Sequence, residues 1–225
     1  MVELEQLLVS NIPNFICLTE IHNFNININD SISYIGKLRS PEDKKGGGLA
    51  ILWVKNGKIK IEEIEYKHPD ILISLIEIGN FSFKLVLVYL DTNDKNRNAN
   101  IYQHLNKIID SSISKLCIVG DFNGHTGILG PQDINYNGKK FLEFANNNDL
   151  IILNLDMRCE GEITRQQGDI KSTIDFMLVN ESMSNSFSKM FIDEDREITN
   201  FSDHNPPDNG YPWSSNGTPW DFRHG

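Results

Sequence analysis

The chain has 225 residues, 39% of them hydrophobic, with a net charge of −10 and a pI near 5.0. That length suits one large domain with a substantial core. The acidic balance excludes a surface that grips nucleic acid by bulk charge, because phosphate contacts need clustered Lys and Arg. No stretch approaches the ~20 apolar residues that span a bilayer, and Met1 is not followed by a basic segment and an apolar run of signal type. Cys17, Cys117 and Cys159 are odd in number, and two of them fall in runs that read as buried strands. This points to a reducing, intracellular compartment, nuclear or cytoplasmic, with no disulfide framework and no membrane partner.

In chain order, Leu4, Leu7 and Leu8 recur at helical spacing over residues 3–9, an amphipathic helix facing a sheet. The apolar run Phe15–Thr19 reads as a strand closed by Glu20, with His22 lining whatever cleft lies beyond it. Residues 23–30 alternate only loosely and read as an irregular edge. Gly46, Gly47 and Gly48 lack the Gly-Lys-Ser/Thr and helix that a phosphate-binding loop requires, so they read as a tight turn into the strand 49–54. Asn56-Gly57 is a strong hairpin signal and joins that strand to 59–64.

A second hairpin links 71–78 to 81–90 through Gly79-Asn80. In its second strand Phe81, Phe83, Leu85, Leu87 and Tyr89 share one face, and Val86, Val88 and Leu90 the other. A strand apolar on both faces belongs in the middle of a packed structure. Helical stripes over 98–112 (Ile101, Leu105, Ile108, Ile109) and 138–148 (Phe141, Leu142, Ala145) cover a sheet. Between them, the run 116–119 stops at Gly120 and delivers Asp121 and Asn123 to an exposed strand end. Strands follow at 150–153 and 173–179, the latter carrying Asp175. Hairpins interleaved with helices predict an α+β fold, a four-layer α/β/β/α sandwich of two mixed, mainly antiparallel sheets. The domain is expected over 1–206, and 207–225, rich in Pro, Gly and Ser, reads as a tail without regular structure.

Strand ends thus carry Glu20, Tyr89, Asp121, Asn123 and Asp175, with Asp203 and His204 after a polar loop. Carboxylates orient water or a cation, and an amide donates to an anionic oxygen without carrying charge. Each residue also has a structural reading. Asp121 and Asn123 suit a turn after a strand, and Tyr89 suits a strand interior.

The segments LTE, GGGLAI, VY, GDFN, STID and SDH stand in the order and with roughly the spacing of the endonuclease/exonuclease/phosphatase superfamily, which the chain resembles over residues 15–205. GDFNGHTG, STID and SDHNP look most like the endonuclease domain of non-LTR retrotransposons. The resemblance implies Mg2+-dependent phosphodiester hydrolysis on DNA, with Mn2+ able to replace Mg2+ and with a reverse transcriptase fused to or neighbouring the domain in the parent element. It implies that Glu20 and Asp203 hold the metal, Asp121 positions or deprotonates the attacking water, and Asn123 and Tyr89 hold phosphoryl oxygens. His204 then donates to the developing charge, its imidazole held by Asp175 or Asp203.

The family pattern also has a strand with an active-site Asn before the helix at 3–9, and a strand directly after SDH, and neither is expected here. A fragment that folds without catalysing is therefore the rival reading. Abasic DNA, RNA and small phosphate esters are rival substrates, because specificity lies in loops. A local basic rim is expected from Lys37, Arg39, Lys44, Lys45, Lys95, Arg97, Arg158, Arg165 and Lys171.

Overall fold

A computed structural model describes residues 14–21, 30–37, 47–109, 115–131 and 133–194, with the backbone of 207–208. Its larger sheet runs in the order β4 (Ile59–Ile64), β5 (Ile71–Ile78), β6 (Phe81–Tyr89), β7 (Leu116–Asp121), β12 (Asp175–Val179), β8 (Ile151–Ile152). All neighbours are antiparallel except β6 and β7. That parallel step needs a crossover, which the helix α1 (Lys95–Ile109) supplies. In the smaller sheet β3 (Leu49–Val54) lies between β1 (Phe15–Thr19) and β2 (Ile32–Lys37). A short third sheet joins β9 (Cys159–Glu160), β13 (Met190–Ile192) and β14 (Pro207–Asp208), and β10 (Arg165–Gln167) with β11 (Ile170–Ser172) forms a separate hairpin.

The two-faced pattern of β6 is realised side chain by side chain. Phe81, Phe83, Leu85, Leu87 and Tyr89 enter the core between the sheets, against Phe15, Leu49 and Ile51. Val86, Val88 and Leu90 face the opposite way, onto Ile101, Leu105 and Ile108 of α1 and Phe141 and Phe144 of α2 (Tyr136–Asn147). Each such buried side chain contributes about 1.5–3 kcal/mol, so both layers depend on this strand. Helices therefore cover the outer face of the larger sheet, as the sandwich requires. The helix expected over 3–9, the expected edge 23–30 except Asp30, and residues 38–46 lie outside the described residues.

Several boundaries move for local reasons. α1 begins at Lys95 because Asp94 caps it, Oδ1 accepting the Arg97 N–H at 3.0 Å. α2 begins at Tyr136 because Asn135 accepts the Gly138 N–H at 2.7 Å. Asn56-Gly57 does turn the chain, but β3 and β4 are not paired. Both edges of β3 are already taken by β1 and β2, so β4 crosses to the other sheet and pairs with β5. The Gly79-Asn80 hairpin forms as read, with Ile78 opposite Phe81. Residues 207–208, placed in the tail by composition, pair with β13.

Three cations expected on a basic rim serve the fold instead. Lys37 donates to the carbonyls of Tyr66 and, at 2.9 Å, Ile71. Arg158 binds Asp156 at 2.7 Å and the carbonyls of Ser184 and Phe187 at 2.8 and 3.0 Å. Arg97 holds Asp70 by two bonds, of 2.6 and 2.8 Å, and Asp70 is 0% exposed. Removing Arg97 strips a fully buried carboxylate of its two-bond cationic partner, a change that is strongly destabilising. Arg97→Ala is therefore expected to lower the unfolding free energy by about 3–5 kcal/mol, read from the urea midpoint. An unchanged midpoint would show that this pair is not holding α1 to the loop before β5.

Candidate active site

The register of the larger sheet brings three candidate residues into one row. Tyr89 on β6 lies opposite Asp121 on β7, and Asp121 lies opposite Asp175 on β12. Gly120, just before Asp121, makes this possible. A Cβ there would stand 1.8 Å from the carbonyl oxygen of Val88, a distance no side chain tolerates. The row is tied off beyond the strands, where the Leu90 N–H donates to the Asp121 carbonyl and the Phe122 N–H to that of Ile174, both at 2.9 Å. Phe122 is wholly buried and packs edge-on against Phe141, anchoring the turn from beneath.

Asp121 and Asn123 form one hydrogen-bonded unit. The Asn123 N–H donates to Asp121 Oδ1 at 2.8 Å, and Asn123 Nδ2 donates to Asp121 Oδ2 at 3.2 Å and to the Leu90 carbonyl at 2.8 Å. Asn123 has φ +45°, a left-handed conformation that Asn tolerates better than most residues. The turn-shaping and functional readings of the pair are thus compatible, since the turn itself aims the Asp121 carboxylate. That side chain is only 3% exposed.

Glu20 reaches this row from the smaller sheet. It follows β1, has φ +57°, is exposed, and accepts the Tyr89 hydroxyl on Oε1 at 2.6 Å. Burial first, then the hydrogen bond to the Glu20 carboxylate, pushes the Tyr89 phenol well above its ordinary pKa. At neutral pH it is a neutral donor. Asp175 is half-buried, and its backbone is fixed on both sides. Its N–H donates to Thr164 Oγ1 at 3.0 Å, and its carbonyl accepts Asn154 Nδ2 at 3.1 Å.

The structure therefore gathers Tyr89, Asp121, Asn123 and Asp175, with Glu20 joined through Tyr89. Asp203, His204 and His22 lie outside the described residues. Among those described, no three His, Cys, Asp or Glu side chains are grouped to hold a metal ion. Of the expected rim, Lys171 is exposed, Arg165 Nη2 donates to Gln167 at 2.8 Å, and Lys95 sits 4.9 Å from the centroid of the Tyr136 ring. Arg39, Lys44 and Lys45 lie outside the described residues.

Thr164 and Asn154 are supports that pattern reading missed. Buried Thr and Asn carry no periodic signal, and this chain is rich in Asn. Asn135 could have been found from its position three residues before Gly138, at the start of a helical stripe.

Residues 83–207, more than half of the chain, match the family described as endonuclease-reverse transcriptase. No curated protein matches the chain in sequence. Among solved structures, the endonuclease domain of TRAS1, a telomere-specific non-LTR retrotransposon, superposes with a TM-score of 0.72 at 16% identity, over 90% of this chain and 87% of that one. An endonuclease/exonuclease/phosphatase family protein from Bacteroides thetaiotaomicron gives 0.62 at 14% identity, over 91% and 83%. TDP2 of D. rerio, complexed with a single-strand DNA product, gives 0.54 at 12%, over 91% and 89%. At these identities the likeness establishes the fold.

Gly120→Ala tests the row directly. It is expected to cost more than about 4 kcal/mol, at the far end of single-substitution effects, and to leave little folded protein by circular dichroism. A thermal midpoint within a few degrees of wild type would show that β6 and β7 do not approach as described.

Proposed function

The chain belongs to the endonuclease-reverse transcriptase family of the endonuclease/exonuclease/phosphatase superfamily, whose members hydrolyse phosphate esters, and we propose that it is a metal-dependent endonuclease that nicks DNA, as a retrotransposon endonuclease does. One observation carries the reading. Tyr89, Asp121 and Asp175 stand in one row across three adjacent strands, with Glu20 bonded to the first of them. Similarity to the TRAS1 endonuclease domain, and to a TDP2 bound to a DNA product, favours DNA over a small phosphate ester.

Asp121 is the base that positions the attacking water and takes its proton. Its two oxygens are held by Asn123, so its orientation is set before substrate arrives. Tyr89, kept neutral by its surroundings, and Asn123 donate to the phosphoryl oxygens. In the free protein their protons are engaged by Glu20, Leu90 and Asp121, and the substrate takes over these bonds. His204 donates to the charge that develops on the leaving side, with Asp175 or Asp203 holding its imidazole in the useful tautomer. Carboxylate oxygens are hard donors, which fit Mg2+ or Mn2+. Glu20 and Asp203 would hold the ion, which when bound polarises the phosphoryl group and offsets its charge.

A supercoiled plasmid incubated with the protein and Mg2+ is expected to be nicked. Asp121→Ala and His204→Ala should each lower the rate by about a hundredfold or more. Nicking no faster than these variants would overturn the assignment. Independently of turnover, Mg2+ at about 100 times its Kd should stabilise the wild-type fold by about 2.7 kcal/mol, read as a rise in melting temperature. Glu20→Gln should abolish that gain, and a gain that survives would move the metal elsewhere.

A further inference from the structure

We propose that Asn98 and Asn137 are positioning residues that lock the loops after β6 and β7 together and so hold the Asp121–Asn123 turn. The inference rests on the reading of that turn as catalytic. Both side chains are almost fully buried, at 1% and 4% exposure, although Asn is ordinarily a surface residue. Asn98, on the first turns of α1, donates from Nδ2 to the Asp91 carbonyl at 2.6 Å and to Asn137 Oδ1 at 3.0 Å, while its Oδ1 accepts the Asp91 N–H at 2.9 Å. Asn137, on the first turn of α2, donates from Nδ2 to the Asp91 carbonyl at 3.1 Å and to the Asn123 carbonyl at 3.4 Å. Two amides thus bridge Asp91, two residues past Tyr89, to Asn123, two residues past Asp121.

The loop after β7 is otherwise held by contacts that allow little movement. Asn135 Nδ2 donates to the same Asn123 carbonyl at 3.0 Å. A Cβ on Gly138 would stand 1.8 Å from the His125 carbonyl oxygen, so the start of α2 lies flush against residues after Asn123. Asn123 sits in a left-handed conformation that persists only when its surroundings fix it. The Asn98 and Asn137 roles call for an amide, because each side chain donates two bonds and accepts one, and a hydroxyl has a single proton to donate. A carboxylate would face the Asp91 carbonyl with a lone pair, whereas an apolar isostere of Asn98 would deprive the Asp91 N–H of its Oδ1 acceptor and one of Asn137 would deprive the Asn98 amide of its side-chain acceptor. Neither Asn98 nor Asn137 bonds to the Asp121 carboxylate, so their effect on chemistry passes through the turn.

The test uses the full chain with Asn137→Asp and Asn98→Ser, beside Asn148→Asp as a control. Asn148 makes comparable amide bonds, to Phe144 and Asn106, at the far end of α2. Two readouts are taken on every variant that keeps wild-type circular dichroism. One is hydrogen exchange at the Asn123 N–H, which donates to Asp121 Oδ1. The other is plasmid nicking, resolved into kcat and KM.

Exchange is expected to quicken about tenfold in Asn137→Asp and Asn98→Ser, the worth of about one hydrogen bond. kcat should fall at least as far with KM little changed, and Asn148→Asp should match wild type in both. Exchange and kcat unmoved in the two buried variants would overturn the proposal, as would equal losses in the control. If the wild type does not nick at all, the proposed function fails while the exchange result still decides the positioning role.

Discussion

The parallel pairing of β6 with β7 is the constraint on which the rest depends. Parallel neighbours need a crossover, so α1 must leave the end of β6 and return at the start of β7, and the loop after Tyr89 must start that excursion beside the loop after Asp121. The close approach of Gly120 to Val88 sets the register that puts the Tyr89 and Asp121 side chains level. β12, antiparallel to β7, then brings Asp175 to the same row. A phenol and two carboxylates meet because these two adjoining ladders are in register.

What fastens that row is mostly amide chemistry. Asn98, Asn123, Asn135 and Asn137 hold backbone groups of the two loops, and Thr164 and Asn154 do the same for the start of β12. Neutral amides can be buried when each donor and acceptor is matched, at far lower desolvation cost than ionised groups. The buried charge of Asp70 is correspondingly paired with Arg97, and the carbonyl of Asp70 accepts the Tyr89 N–H at 3.2 Å. The row of candidate residues thus rests on a mostly uncharged scaffold, even though the chain as a whole is acidic.

Much of this was legible in the amino-acid sequence, and the reasons differ by residue. The alternation in 81–90 predicts the two cores correctly because a period of two is fixed by strand geometry. GDFN and STID mark strand ends because a short apolar run followed by polar residues has few other solutions. The Asn56-Gly57 signal misled, because turn chemistry fixes how the chain reverses and not which strand has a free edge. β2 and β13 were missed, the first beside an Asn- and Ile-biased stretch and the second at only three residues. Lys37, Arg97 and Arg158 read as surface charge, because sequence does not reveal a buried carbonyl or carboxylate waiting for a cation. The amide scaffold was invisible for the same reason.

Glu20 follows a strand of the smaller sheet and Tyr89 ends a strand of the larger one, so their bond straddles the seam between two separately hydrogen-bonded layers. The packed side chains of the shared interior and the Lys37 ammonium of β2, bonded to the Tyr66 and Ile71 carbonyls, also hold those layers together. A relative slide of one strand residue, about 3.3 Å, would pull carboxylate and phenol apart while leaving each layer's own hydrogen bonding intact. The seam is therefore where strain in the shared interior would be felt: a bulkier side chain packed between the layers would part carboxylate and phenol before it disturbed the ladders of either sheet.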